Sequence, residues 1–257
     1  MLILIAESKT MTACDVVQSA ASLSLHRPAG DEGADEVMAH IAGMNAEELR
    51  EVSGLSAAMC AKELRMAYEF PNKSLGEAAI RAYTGVVFKS LDCASLSPAA
   101  LERLNNNVAI ISSLYGWLRP DDIIKAYRTD FKMKLAPGDR PLSTWHKKDV
   151  TLRLVRRLEE TGYPPILDLM PGDAAACVDR KLVKRFTKIW KVDFKELKDG
   201  GEYATPNAGK LKKMRGLLLR AILEQNISDP NELLTLSTPD LLPLGTPDYP
   251  DHIAFCV

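Results

Sequence analysis

Six short runs, near residues 2–6, 85–88, 108–111, 131–135, 166–170 and 189–194, constrain this chain more than anything else in it. Each is four to six residues of apolar or alternating character, which is strand length and too short for a buried helix. Residues 2–6, 108–111 and 166–170 are almost unbroken apolar, as strands covered on both faces are. Residues 131–135 alternate, with Lys132 and Lys134 on one face and Phe131, Met133 and Leu135 on the other. Helical spacing fills the intervals, so the pattern predicts a mixed α/β (α+β) fold. No repeat, low-complexity tract or composition break divides residues 1–257, which read as one compact domain. With 46% hydrophobic and 26% charged residues, the chain can bury a substantial core.

The helical intervals carry their own signals. Residues 14–42 read as two helices interrupted between Pro28 and Asp35. Asn45 followed by Glu48 predicts a capping box at the start of the next helix. Gly54, Leu55 and Ser56 break that helix before another runs over 57–70. The pair resembles a helix-hairpin-helix element over 45–70, although a plain helical hairpin fits the same residues. Helices follow over 74–83, from Ser97 to about Leu104, over 148–160 and over 207–226, and a last strand-like piece ends the chain at 253–257. Cations spaced three and four apart fill 180–191, where helix gives way to strand.

The net charge of −1 conceals an asymmetry: residues 1–118 carry −5, residues 119–220 carry +10 and residues 221–257 carry −6. A basic middle between acidic flanks suits a polyanion-binding face, and equally a helical surface whose charges pair in three dimensions. Five cysteines at irregular spacing form neither a disulfide framework nor a metal pair, and four scattered histidines lack partner motifs. A reducing, cytoplasmic setting follows, with no metal and no cofactor called for. No run approaches the ~20 apolar residues of a membrane span.

The segment 111–128, ISSLYGWLRPDDIIKAYR, concentrates the candidate chemistry. A strand delivers Ser112 and Ser113, a turn centred on Gly116 follows, and Pro120 with Asp121 and Asp122 predicts a helix start. Cations beside small hydroxyls recur elsewhere: Lys9 and Thr10 at the end of the first strand, and Lys210, Lys212, Lys213 and Arg215 on the last helix. With Arg119 and Arg128 they form a set suited to phosphate, since Arg donates bidentate hydrogen bonds and Lys supplies a point charge. The Gly-rich cradle of a P-loop is absent.

These residues also carry a resemblance. LYGWLRPDDIIKAYR resembles the signature of the YaaA family, bacterial proteins associated with peroxide stress. Three further blocks resemble the same family in order: the opening MLILI with Ser8, Lys9 and Thr10; residues 79–88; and residues 212–216. The resemblance implies a family-specific fold with a positively charged cleft, not a doubly wound sheet. It also implies a non-catalytic, sequence-independent DNA-binding role in the peroxide response. The alternative is an enzyme acting on a nucleotide or other phosphate-bearing small molecule in the same cleft. Two segments depart from the family pattern: Glu7 and Ser8 replace a proline-containing pair, and residues 174–177 replace a polar, aromatic and lysine cluster.

Overall fold

The computed structural model describes residues 1–12, 26–71, 76–245 and 251–257. After β1 (Leu2–Ala6) the chain builds a helical layer of α1 (Asp31–Ala42), α2 (Ala46–Ser53) and α3 (Ala57–Glu69). The short β2 (Glu77–Ala78), α4 (Ala79–Ala82), α5 (Val86–Leu91) and α6 (Pro98–Asn107) follow. Then come β3 (Val108–Ser112), β4 (Gly116–Leu118), β5 (Ile123–Ile124) and the long α7 (Leu142–Glu160). The second half holds β6 (Ile166–Asp168), α8 (Gly172–Ala175), α9 (Arg180–Val183), β7 (Ile189–Leu197), β8 (Tyr203–Ala204), α10 (Ala208–Glu224), β9 (Leu242–Pro243) and β10 (His252–Cys256). Among the described residues no helix is long and apolar enough to cross a membrane.

The main sheet runs β4-β3-β1-β6-β7-β10-β9, with β8 paired to the end of β7. Strands β3, β1, β6, β7 and β10 are parallel, and antiparallel β4 and β9 close the two edges. Taken in chain order the parallel strands therefore lie 2-1-3-4-5. That is the order of a doubly wound sheet, which corrects the expectation that none is present. Both faces are covered. Ile3 and Ile5 join one core with α1, α3, α6 and α10, while Leu2 and Leu4 join a second with α7. This alternation explains why β1 reads as an unbroken apolar run.

Several elements differ from the sequence expectation. Residues 85–88 are the start of α5, not a strand: α10 packs on this segment and buries Phe88, and tertiary packing overrides the strand propensity of two valines. No helix starts at Asp121. Asp122 accepts a hydrogen bond from the Arg119 N–H at 2.8 Å, Asp121 pairs with Arg119, and the chain continues into β5 against β2. Residues 131–135 keep their alternation, with Phe131, Met133 and Leu135 buried. They form no ladder, because the Phe131 and Met133 carbonyls accept from Ser143 and Leu142 at the start of α7. That helix begins at Leu142, six residues before the expected start at 148. Of the helix expected over 74–83 only α4 is helical, and residues 72–75 lie outside the described residues. So do residues 13–25; α1 starts at Asp31, inside the expected interruption. The cations of 180–191 are divided between the single turn of α9, a loop and β7.

Candidate functional site

In doubly wound sheets ligands bind beyond the carboxyl ends of the strands, where the strand order reverses. Here the reversal falls between β1 and β6. A cleft of about 310 Å³ opens there, lined by Glu7, Ser8, Lys9 and Thr10 after β1, by Leu169, Pro171 and Asp173 after β6, by the start of α5, and by Lys212 and Arg215 of α10. The loop after β1 is shaped by Ser8, whose hydroxyl accepts the Thr10 N–H at 3.1 Å. Helix α5 presses against it so closely that a Cβ at Gly85 would lie 2.1 Å from the Ser8 hydroxyl oxygen.

Four of the ten candidate phosphate ligands therefore meet in one place: Lys9, Thr10, Lys212 and Arg215. Lys9 pairs with Asp130. The Arg215 guanidinium is partly desolvated, which lowers its pKa, while Asp168 and Asp173 oppose that loss. The Asp168 carboxylate is held in turn by Arg180 and by the Met170 N–H at 3.0 Å. Arg128 stands beside this group, close enough to act electrostatically on both Asp130 and Glu63 of α3.

The other candidates are placed differently. Ser112 and Ser113 are fully buried. The Ser112 hydroxyl meets the Tyr127 hydroxyl at 2.7 Å and accepts the Leu114 and Tyr115 N–H groups, while the Ser113 hydroxyl meets that of Thr129 at 2.7 Å. Lys210 turns to Glu196 and the Val257 carbonyl, and Lys213 to Asp240, on another side of α10. Arg119 lies at the opposite end of the sheet, because antiparallel β4 carries the chain back from Ser112 to the level of Ile110. Gly54, Leu55 and Ser56 form the α2–α3 hairpin: Gly54 is left-handed (φ 68°), Leu55 is buried, and the Ser56 hydroxyl caps α3 at the Met59 N–H. The capping box at Asn45 and Glu48 is present.

Glu7 is a further member of the cleft, outside the set of candidate phosphate ligands. Its carboxylate accepts the Ser113 N–H at 2.8 Å and the Tyr127 hydroxyl at 2.5 Å, and Tyr127 also meets Tyr83 at 2.6 Å. Burial raises the Glu7 pKa to about 7, against the lowering effect of the Ser113, Tyr127 and Ser112 hydrogen bonds. A carboxyl divided between its two protonation states near neutrality can take up or release a proton at the cleft floor. The only signal in the sequence is a carboxylate immediately following an apolar strand. Burial pushes the nearby Cys177 thiol up to about 12, so it stays protonated and unreactive.

Comparison with known proteins agrees with the sequence blocks. The family model for the peroxide stress protein YaaA matches residues 1–241. A UPF0246 protein of Parabacteroides distasonis is 29% identical over 91% of this chain and 90% of its own length. One from Francisella tularensis subsp. novicida is 29% identical over 72% of each chain. One from Laribacter hongkongensis is 32% identical over 60% of this chain, and the match spans 59% of that relative. The chain belongs to the peroxide stress protein YaaA family, which ties it to the cellular response to oxidative stress.

Proposed function

We propose that this protein acts in the peroxide response by holding DNA through its phosphate backbone, without reading sequence. The observation that carries the reading is the convergence of Lys9, Thr10, Lys212 and Arg215 on one cleft at the strand-order reversal. Arg128 extends this group toward the middle of α3, the helix that follows the α2–α3 hairpin. A left-handed glycine leading into a capped helix supports reading that hairpin as a helix-hairpin-helix element, whose backbone N–H groups would take a second phosphate. Phosphate neutralisation is what supplies sequence-independent affinity.

A second reading is favoured by Glu7. A carboxyl with a pKa near 7, hydrogen-bonded to Tyr127 at the floor of a small cleft, suits proton transfer on a phosphate-bearing small molecule such as a nucleotide. Fluorescence anisotropy of a labelled duplex at two salt concentrations separates the two. The DNA reading expects a steep negative salt slope that survives scrambling of the sequence. Absence of binding at low salt overturns it, and a thermal shift with mononucleotides then tests the second reading.

A further inference from the structure

The opposite end of the sheet holds a second cationic cleft. Antiparallel β4 delivers Arg119 there. Helix α7 descends to the same end, from His146 beside the Ser113 carbonyl to Glu160 just before β6. Arg153, Arg156 and Arg157 thus lie on its lower half, at the three- and four-residue spacing that shares a helix face. These four arginines line a cleft of about 450 Å³ with Trp117, Asn105 and the starts of β1 and β3.

The guanidinium groups are anchored at one edge and leave other N–H groups to spare. Arg119 reaches Asp121 at 3.2 Å, Arg153 reaches Asp149 at 2.6 Å and the Ala29 carbonyl at 3.0 Å, and Arg157 donates to the Asn106 carbonyl at 2.7 Å. Arg157 also pairs with Glu160 at 3.8 Å, while Arg156 is exposed and makes no salt bridge with any described residue. The acids beside the cleft are Asp122 and Glu160 on its lining, with Asp121 and Asp149 paired to Arg119 and Arg153 at its edge. Three of the four arginines have a carboxylate partner, Asp121, Asp149 or Glu160. Each guanidinium nonetheless keeps further N–H groups, Arg156 all of its own among the described residues, and their planar forks match phosphate oxygens. The volume is that of a small-molecule site. Trp117 offers a half-buried aromatic face on the wall. The side-chain carbonyl of Asn105 is shut from solvent, so contact with the edge of a base falls to its NH2 group, a donor.

We infer that this lower cleft binds a nucleoside polyphosphate, its phosphates on Arg119, Arg153, Arg156 and Arg157 and its base against Trp117 and Asn105. The site is independent of the upper cleft and of the DNA reading. Isothermal titration of the full chain with adenosine triphosphate tests it, alongside inorganic tripolyphosphate and a short single-stranded oligonucleotide. The nucleotide is expected to bind, tripolyphosphate several-fold more weakly, and Arg156→Glu to weaken the nucleotide at least tenfold while its melting temperature stays unchanged. Lys212→Gln with Arg215→Gln should leave nucleotide binding as it is. Quenching of Trp117 fluorescence, lost in Trp117→Phe, gives a readout that does not depend on charge. No binding at low salt overturns the inference, as does loss of binding through the Lys212 and Arg215 pair alone. Tripolyphosphate binding as tightly as the nucleotide removes the base from the assignment, and displacement of the nucleotide by equimolar oligonucleotide gives the cleft to nucleic acid instead.

Discussion

Glu63 offers the sharpest quantitative prediction. It lies on α3, fully buried, with no well-formed hydrogen bond to either carboxylate oxygen among the described residues and with the Arg128 backbone N–H and guanidinium acting on it. Burial raises its pKa from 4.5 to about 7, with Arg128 offsetting only part of the desolvation. The unfolded chain releases this proton near pH 4.5 and the folded chain near 7, so the native state binds more protons in between. Stability therefore falls as pH rises through that window. A shift of this size corresponds to roughly 3 kcal/mol lost by pH 8 and just under about 1 kcal/mol at pH 5. Glu63→Met keeps the volume and removes the titration. Its stabilisation over the parent should grow by about 2.5 kcal/mol between pH 5 and pH 8, or on the order of 5–10 °C in melting temperature for a chain of this length. Thermal unfolding of both proteins across that range measures it. A stability difference that stays constant with pH refutes the claim that a buried, titrating carboxyl sits there.

His146 should show the opposite slope. Its Nε2 donates to the Ser113 carbonyl at 3.0 Å, and burial lowers its pKa to about 4. The unfolded chain then binds the extra proton first, so stability falls as pH drops from about 6.5 toward 4, by roughly 3 kcal/mol. His146→Gln should lose that part of the acid sensitivity in a denaturant titration. Gly216→Ala should cost on the order of 3 kcal/mol in the same measurement, because the added Cβ would sit 2.3 Å from the Val87 carbonyl where α10 packs on α5.

What could be read from the sequence depended on how local its cause was. Strands β1, β3, β6 and β10 follow from apolar runs, and the caps at Asn45, Ser97 and Asn207 follow from side chains that reach only three residues ahead. The meeting of Lys9 and Thr10 with Lys212 and Arg215 was foreshadowed by residue type. Its geometry required the strand order, which no local pattern carries. The same ignorance of strand direction grouped Arg119 with the upper cleft, since only the antiparallel pairing of β4 sends it to the other end. The division of the last basic motif was legible in principle: Lys212 and Arg215 are three apart, as are Lys210 and Lys213, so each pair shares a face. Asp121 and Asp122 misled because carboxylates that favour a helix start can cap a turn equally well. Glu7 was hidden because its partners, Ser113 and Tyr127, are more than a hundred residues away.

Duplex binding by two double variants tests the central claim most directly, namely that one side of α10 and the loop after β1 form the phosphate site. Lys212→Gln with Arg215→Gln should weaken a labelled duplex at least tenfold, equally across sequences, and flatten the log–log salt slope by about 2. Lys210→Gln with Lys213→Gln, which removes the same charge from the side facing Glu196 and Asp240, should leave both affinity and slope close to the parent. Equal losses in the two variants would mean that affinity follows net charge alone, and would contradict the site.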